Sequence, residues 1–199
     1  ADAYPLEAAK IANLAAGIVV GKLGAAVPQL AEILNFVDGE RDKVILLEEL
    51  LPLIARKRTE GKRIVFTNGC FDLLHVGHIK YLQKAKKMGD ILIVGLNSDT
   101  SVKALKGTNR PLISEKERAQ LLAALDCIDH IVLFSELTPL NLISKIKPDI
   151  LIKGGDYRPE EVVGKEIVDS YGGKVELVPY LEGFSTSQII SEILTRYRP

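Results

Sequence analysis

Residues 64–78 read IVFTNGCFDLLHVGH, an apolar run followed by two of the chain's three histidines, His75 and His78, with a glycine between them. The β-branched run at 64–67 predicts a strand buried on both faces, and the residues after His75 have the period of a helix. This stretch therefore predicts a strand-to-helix turn, where free backbone N–H groups and the helix dipole favour an anion.

The rest of the chain repeats the alternation that this stretch begins. Further apolar runs of strand length lie at residues 91–96, 131–134, 150–152 and 175–178, and helical patterns lie at roughly 77–88, 114–125, 138–146, 160–171 and 186–196. Crossovers in such a series are right-handed. We therefore expect an α/β fold, a Rossmann-like doubly wound sheet of five parallel strands, with its ligand crevice beyond the carboxyl ends of the strands.

Single residues mark the expected helix ends. Gly89 and Gly172 stand where a left-handed residue would close a helix. Ser114, followed by Glu115 and Glu117, predicts an N-cap with acidic residues in the first turn.

The first part of the chain has a different pattern. Residues 1–36 and 41–60 are helical in period and rich in Ala and Leu, whereas the strand-like runs begin only after Gly61. We therefore expect a helical extension at 1–36, a linker helix at 37–61 and the sheet domain at 62–199.

The composition indicates an ordinary globular protein. The chain has 199 residues, 47% of them hydrophobic, and Lys+Arg equals Asp+Glu at 26 each. No overall positive field draws it to nucleic acid or to a membrane, and no apolar run reaches the length of a membrane span. Cys70 and Cys127 alone cannot form a disulfide framework, so we expect a cytoplasmic protein without nucleic-acid or membrane partners.

Three interpretations of the histidine pair compete. Zinc could use Cys70 with both histidines, but no second Cys or His cluster supplies a fourth ligand. The two histidines could also be core or surface residues without a function. Their place at a strand-to-helix turn favours the third interpretation, in which His75 and His78 donate hydrogen bonds to phosphate oxygens. No residue is therefore assigned as a metal ligand.

The stretch resembles the HxGH signature of the nucleotidyltransferase superfamily. The resemblance extends to TNGCFD (67–72), GLNSD (95–99), LKG (105–107), RP (110–111), PD (148–149), KGGDY (153–157) and GFSTS (183–187). Over about residues 62–199 the chain is similar to the adenylyltransferase half of the bifunctional enzymes of ADP-heptose synthesis. Residues 8–27 resemble the closing helix of the ribokinase-like sugar kinase that forms the other half, so 1–36 is expected to be a kinase remnant without kinase activity.

This resemblance implies a reaction and its partners. AMP would pass from ATP to D-glycero-D-manno-heptose 1-phosphate, giving ADP-heptose for lipopolysaccharide core synthesis and releasing pyrophosphate. Mg²⁺ would accompany ATP, and we expect a homo-oligomer. Such a transfer needs positioning and charge stabilisation rather than a protein nucleophile, so Cys70 is not expected to act as a thiolate.

The resemblance also assigns roles to residues. It implies that His75, His78 and Lys106 are catalytic, with the histidines at the triphosphate and the lysine at the α-phosphate. Nucleotide binding falls to Gly69, Cys70, Phe71, Gly77, Arg118, Gly155, Asp156, Ser185, Thr186 and Ser187, and substrate binding to Asp72 and Arg110.

Several of these residues have a plainer alternative. Arg118 could be a solvated helix charge, Gly155 and Asp156 a simple turn, and the hydroxyls at 185–187 helix caps. Asp72 could face the sugar or Mg²⁺, or cap a turn.

Two other functions stay open. Glycerol-3-phosphate and choline-phosphate cytidylyltransferases share the histidines and the Lys-Gly pair, but their last segment begins Arg-Thr-Glu-Gly where this chain has YLEG at 180–183. A nucleotide-binding module without turnover is the other alternative, although binding alone needs no donors around a leaving phosphate.

Overall fold

The computed structural model describes residues 43–155, 158–179 and 185–197, together with residues 12, 27 and 28. The chain divides into two compact units, residues 1–42 and 43–199. The expected kinase remnant at 1–36 lies outside the described residues, apart from three positions.

The second unit alternates strands and helices along the chain. The helices are α1 (Leu47–Thr59), α2 (Val76–Lys86), α3 (Asp99–Lys106), α4 (Glu115–Ala123), α5 (Leu140–Ile146), α6 (Lys165–Ser170) and α7 (Thr186–Tyr197). The strands are β1 (Ile64–Gly69), β2 (Ile91–Asn97), β3 (His130–Phe134), β4 (Ile150–Gly154) and β5 (Lys174–Val178), and a 3₁₀ turn covers Pro159–Glu161.

The five strands form one parallel sheet in the order β3-β2-β1-β4-β5. The chain runs outward from β1 through β2 to β3 and then returns to add β4 and β5 on the other side. The expected doubly wound sheet is confirmed. In this strand order the direction of winding reverses between β1 and β4, which is where such sheets bind ligands.

Each face of the sheet is covered by helices. The face that we name the first face packs against α1, α5 and α6 through Leu50, Ile143 and Val168. The second face packs against α2 and α4 through Leu82 and Leu122. Because side chains of one strand alternate between faces, Phe66 of β1 belongs to the first core and Val65 to the second. Burying one such side chain stabilises the fold by about 1.5–3 kcal/mol.

Helix α1 belongs to the sheet domain rather than to a linker. Its residues Leu47, Leu50 and Ile54 are buried in the first core, and the segment before it bonds to β3, with Ile45 N–H donating to the Ile131 carbonyl over 3.0 Å. The expected boundary near Gly61 therefore moves to residues 42–43. The apolar face of α1 explains this, since it has to be covered by the sheet.

Two of the three residues predicted to mark helix ends have that role in the structure. Gly172 has φ of +82° and Ser114 forms a capping box with Glu117, as expected. The prediction for Gly89 is wrong, because α2 already ends at Lys86 and Gly89 is not among the left-handed residues described. Glycine is needed there for space, since a Cβ would lie 2.6 Å from Cγ2 of Val65.

Two helices differ from the predicted ranges. Helix α3 was not predicted, because it is short and largely polar and buries only Ser101 and Val102. The pattern at 160–171 divides into the 3₁₀ turn and the shorter α6. Among the described residues, no helix is both long and apolar enough to cross a membrane.

Candidate functional site at the strand order reversal

The loop at residues 70–75 joins β1 to α2 at the carboxyl edge of the sheet. Phe71 has a left-handed φ of +46°, which costs a non-glycine residue about 1–3 kcal/mol. Its buried ring lies over Gly69, where a Cβ would come 2.9 Å from Cε2 of Phe71. The absence of a side chain at Gly69 therefore lets the Phe71 ring pack into the site.

The two histidines form a stacked pair at the start of α2. Their ring centroids are 3.8 Å apart with an interplanar angle of 26°, and the Phe71 ring lies 5.3 Å from that of His78. The Nδ1 atoms of His75 and His78 are buried and have no hydrogen-bond partner in the described part of the chain. A buried polar atom without a partner is costly, and together with their position beside the strand order reversal this makes the two histidines candidates for contact with a ligand.

Burial keeps both imidazoles neutral at neutral pH. It lowers the pKa of His75, and together with the neighbouring His75 it lowers the pKa of His78 to about 4, while the Leu73 carbonyl acts in the opposite direction. A neutral imidazole still carries one N–H donor. His75 can therefore donate its hydrogen bond to an anionic oxygen, whereas the N–H of neutral His78 is directed at the Leu73 carbonyl, and a bound polyanion would raise both pKa values and so supply the second donor of each ring.

Cys70 is the first residue of the same loop and is a protonated thiol. Burial raises its pKa, and the nearby cations Lys106 and Arg118 act against that shift. A thiol of this kind is a poor nucleophile at neutral pH, in agreement with the expectation that Cys70 is not catalytic. No three His, Cys, Asp or Glu side chains of the described segments come together as a metal site would require.

Lys106 reaches the loop from the end of α3. It is exposed and is followed by Gly107, whose φ of +97° turns the chain away from the helix. Its ammonium is close enough to influence the pKa values of Cys70 and Lys153. The fold thus brings Lys106 to the histidine loop.

Arg118 has a different place from the one that the sequence suggested. Its side chain is 0% exposed, so the alternative of a solvated helix charge is wrong. The guanidinium donates to the carbonyls of Cys70 and Ile113 and, over 2.8 Å, to Oδ1 of Asp99. Arg118 thus holds the start of the histidine loop through the Cys70 carbonyl, and its expected contact with a phosphate stays a prediction.

Asp72 and Arg110 also act within the protein. Asp72 is 2% exposed, forms an ion pair with Arg110, and accepts from the N–H groups of Leu112 at 2.7 Å and Ile113 at 3.2 Å. Both carboxylate oxygens are therefore engaged. The buried charge needs these partners, which lie about 40 positions away in the sequence; the expected contact of Asp72 with the sugar or Mg²⁺ stays a prediction.

The hydroxyl segment lies against the same loop. Oγ1 of Thr186 is 3.5 Å from the Leu73 carbonyl, and the Ser185 side chain accepts from the N–H of Gln188 at 3.1 Å. Ser185 thus caps α7, whereas Ser187 is exposed. The end of the chain and the histidine loop are brought together although more than a hundred residues separate them.

Two further residues of the predicted site are glycines. Gly77 is buried in the first turn of α2 between the histidines. Gly155 has φ of +120° and donates to the Val178 carbonyl at 3.1 Å, so it ties the end of β4 to β5. Asp156 lies outside the described residues.

Sequence reasoning gave no role to Lys153. It stands near the carboxyl end of β4, half-buried, where burial lowers its pKa, Cys70 acts against that shift and Lys106 adds to it. The sequence did contain a signal, because this lysine directly follows the apolar residues 150–152 of the same strand.

Comparisons with known proteins show which family the chain resembles. The model of the cytidylyltransferase-like family matches residues 66–193. Bifunctional protein HldE of Pelobacter propionicus is 58% identical over 196 residues, which are 96% of this chain and 40% of that protein. Its namesake from Helicobacter pylori is 52% identical over 187 residues, 94% of this chain and 39% of that protein. The chain thus spans about 40% of the length of the curated relatives that it matches.

A solved structure shares the fold. Pantoate-beta-alanine ligase from Francisella tularensis, complexed with beta-gamma ATP and beta-alanine, is 18% identical and aligns with a TM-score of 0.50. The alignment covers 76% of this chain and 78% of the ligase.

Proposed function

This chain belongs to the cytidylyltransferase-like family, and we propose that it transfers AMP from ATP to D-glycero-D-manno-heptose 1-phosphate, giving ADP-heptose and pyrophosphate. The observation that carries the proposal is the stacked pair of His75 and His78, whose buried Nδ1 atoms lack partners in the described part of the chain. The choice of ATP and of the heptose rests on the resemblance of residues 62–199 to the ADP-heptose enzymes and on the relatives named HldE.

The proposed reaction is an in-line displacement at the α-phosphorus of ATP. A phosphate oxygen of the sugar forms the new P–O bond, and the bond from the α-phosphorus to the oxygen that bridges to the β-phosphorus breaks. That oxygen leaves on pyrophosphate with the electron pair. Donors aimed at this oxygen stabilise the transition state more than the ground state.

The residues of the site divide this work between them. His75 and His78 donate their N–H groups to the leaving phosphates, and Lys106 neutralises charge at the α-phosphate. Ser185 and Thr186 lie beside the histidine loop, where their hydroxyls can contact the triphosphate. No proton has to be removed from a sugar phosphate that is already ionised, so the proposed reaction needs no general base.

Mg²⁺ is proposed as a companion of ATP rather than as a resident ion of the protein. The carboxylate expected nearest to the phosphates, Asp72, is fully engaged by Arg110 and by backbone N–H groups. The described residues offer no carboxylate cluster in its place. When bound, Mg²⁺ would neutralise charge on the triphosphate.

The family description favours cytidylyl transfer as the second candidate function. A direct assay separates the two candidates by measuring pyrophosphate release from ATP with heptose 1-phosphate, and from CTP with glycerol 3-phosphate. We expect turnover with the first pair and little with the second. Turnover with CTP alone would contradict the proposal, and ATP binding without any product would indicate a nucleotide-binding module.

A further inference from the structure

Lys153 stands at the point where the winding of the sheet reverses. Strands β1 and β4 are neighbours in the sheet, and Phe66 of β1 lies beside Leu151 of β4. Two residues further along both strands, the same pairing brings Asn68 beside Lys153. Leu151 packs in the first core and Ile152 in the second, so strand alternation puts Lys153 on the first face. The ammonium group therefore enters the ligand crevice from the first face.

The surroundings of Lys153 do not balance its charge. No carboxylate of the described residues forms an ion pair with it, and the groups that influence its pKa are the Cys70 thiol and a second ammonium, that of Lys106. Burying an ammonium without a partner is unfavourable, and a like charge nearby adds to this cost. An anion between Lys106 and Lys153 would remove both penalties, as expected of a functional site.

The two faces of the sheet separate Lys153 from the histidines. His75 and His78 lie on α2, which covers the second face, whereas Lys153 belongs to the first face. In-line displacement requires the attacking and leaving oxygens on opposite sides of the α-phosphorus. Groups that enter from opposite faces satisfy this requirement, with the leaving pyrophosphate at the histidines.

We propose that Lys153 binds the phosphate of the acceptor, the group whose oxygen attacks ATP, while Lys106 lies between acceptor and nucleotide. This inference rests on the proposed nucleotidyl transfer and assigns the acceptor side of the same site. It makes Lys153 a determinant of acceptor specificity, because its charge selects a phosphorylated acceptor over a neutral sugar or an alcohol.

The test uses Lys153→Met, which keeps the length of the side chain and removes the charge, in the full chain. Lys84→Met, at an exposed position of α2, is the matched control. Initial rates of pyrophosphate release are measured against heptose 1-phosphate at saturating ATP, and ATP binding is measured by calorimetry. We expect K153M to raise the KM for heptose 1-phosphate about 10- to 100-fold, with ATP binding unchanged. Lys153→Arg, which keeps the charge, should recover part of this loss.

Thermal unfolding distinguishes a binding lysine from a structural one. Because the ammonium is half-buried without a described partner, K153M should keep or raise the Tm of the protein. A clear fall in the Tm would show that Lys153 supports the fold and would overturn the inference. An unchanged KM for the acceptor, or an equal loss of ATP affinity, would overturn it as well.

A binding measurement separates this inference from the proposed function. Heptose 1-phosphate is titrated by calorimetry into wild type and K153M saturated with a non-hydrolysable ATP analogue. Weaker binding to K153M alone supports the inference even if wild type shows no turnover, a result that would refute only the proposed function. Equal binding to both proteins, or none to wild type, refutes the inference.

Discussion

Asp72 and His75 lie on the loop after β1 and His78 lies in the first turn of α2, yet the polar atoms of the carboxylate and of the histidines have opposite surroundings. The buried Nδ1 atoms of His75 and His78 have no partner in the described part of the chain, whereas both oxygens of Asp72 are engaged by Arg110 and by two backbone N–H groups. Both groups belong to residues that a motif search would assign to the site. The difference indicates that the satisfied groups hold the loop in place, and under our proposal the unsatisfied ones are those that face the ligand.

Loss of one histidine should have the largest effect on activity and little effect on the fold. His78→Ala removes the donor that we propose for the leaving phosphate, so we expect kcat to fall about 100-fold or more. His130→Ala is the matched control, because His130 is the first residue of β3 and therefore lies at the amino ends of the parallel strands, whereas the pair lies at their carboxyl ends. The measurement is pyrophosphate release per folded molecule. Equal losses in the two variants would remove the distinction between the pair and an ordinary histidine.

Loss of the Asp72 charge should instead lower the stability of the fold. Asp72→Asn sets an amide against the Arg110 donor and leaves a buried cation without its partner, so we expect the free energy of unfolding in urea to fall by about 2–3 kcal/mol. The comparable change in a solvent-accessible pair, Asp169→Asn opposite Lys165, should have a much smaller effect because solvent screens its charges. If D72N folded as stably as wild type but lost acceptor binding, Asp72 would belong to the ligand site after all.

Acid should destabilise the protein through the histidines before most carboxylates titrate. The pKa of His78 is about 4 in the folded chain and ordinarily near 6.5 in an unfolded one. Between these values the unfolded chain binds more protons, so the free energy of unfolding falls as the pH falls from 6.5 towards 4, by about 2 kcal/mol. Urea unfolding of wild type and His78→Gln at several pH values gives the difference. Parallel pH profiles for the two proteins would show that His78 is not held neutral by the fold.

The smallest expected effect concerns the support of the pair by Phe71. In Gly69→Ala the new methyl group would lie 2.9 Å from the Phe71 ring, which contacts His78, so we expect a loss of about 1–2 kcal/mol in stability and a modest fall in kcat. A double-mutant cycle with Phe71→Leu checks the cause, because a smaller side chain should relieve the clash. Additive losses would show that the glycine is needed for another reason.

The fold followed from local patterns because the central strands are buried on both faces. Continuous apolar runs such as 91–96 are typical of such strands, and residues of β2 are all buried in the structure. The histidine loop followed equally well, because the strand, the turn and the helix that place it are adjacent in sequence.

The partners of polar side chains did not follow, because they depend on residues distant in sequence. Arg118 reads as a surface charge on its own helix, yet it donates to the carbonyl of Cys70, 48 positions away. Asp72 finds Arg110 across 38 positions. Gly89 reads as a helix terminator, but its role is set by the contact with Val65. The face of the sheet on which a charged side chain such as that of Lys153 lies likewise depends on how the strands and helices pack.

The most direct measurement follows the imidazole resonances of the full chain by NMR while Mg²⁺ and a non-hydrolysable ATP analogue are added. The chain has only three histidines, so each can be assigned by single substitution. If the pair contacts the triphosphate, the signals of His75 and His78 shift and their pKa values rise on binding, while His130 is unchanged. If the analogue binds without moving the signals of His75 and His78, the triphosphate lies elsewhere and the account is contradicted.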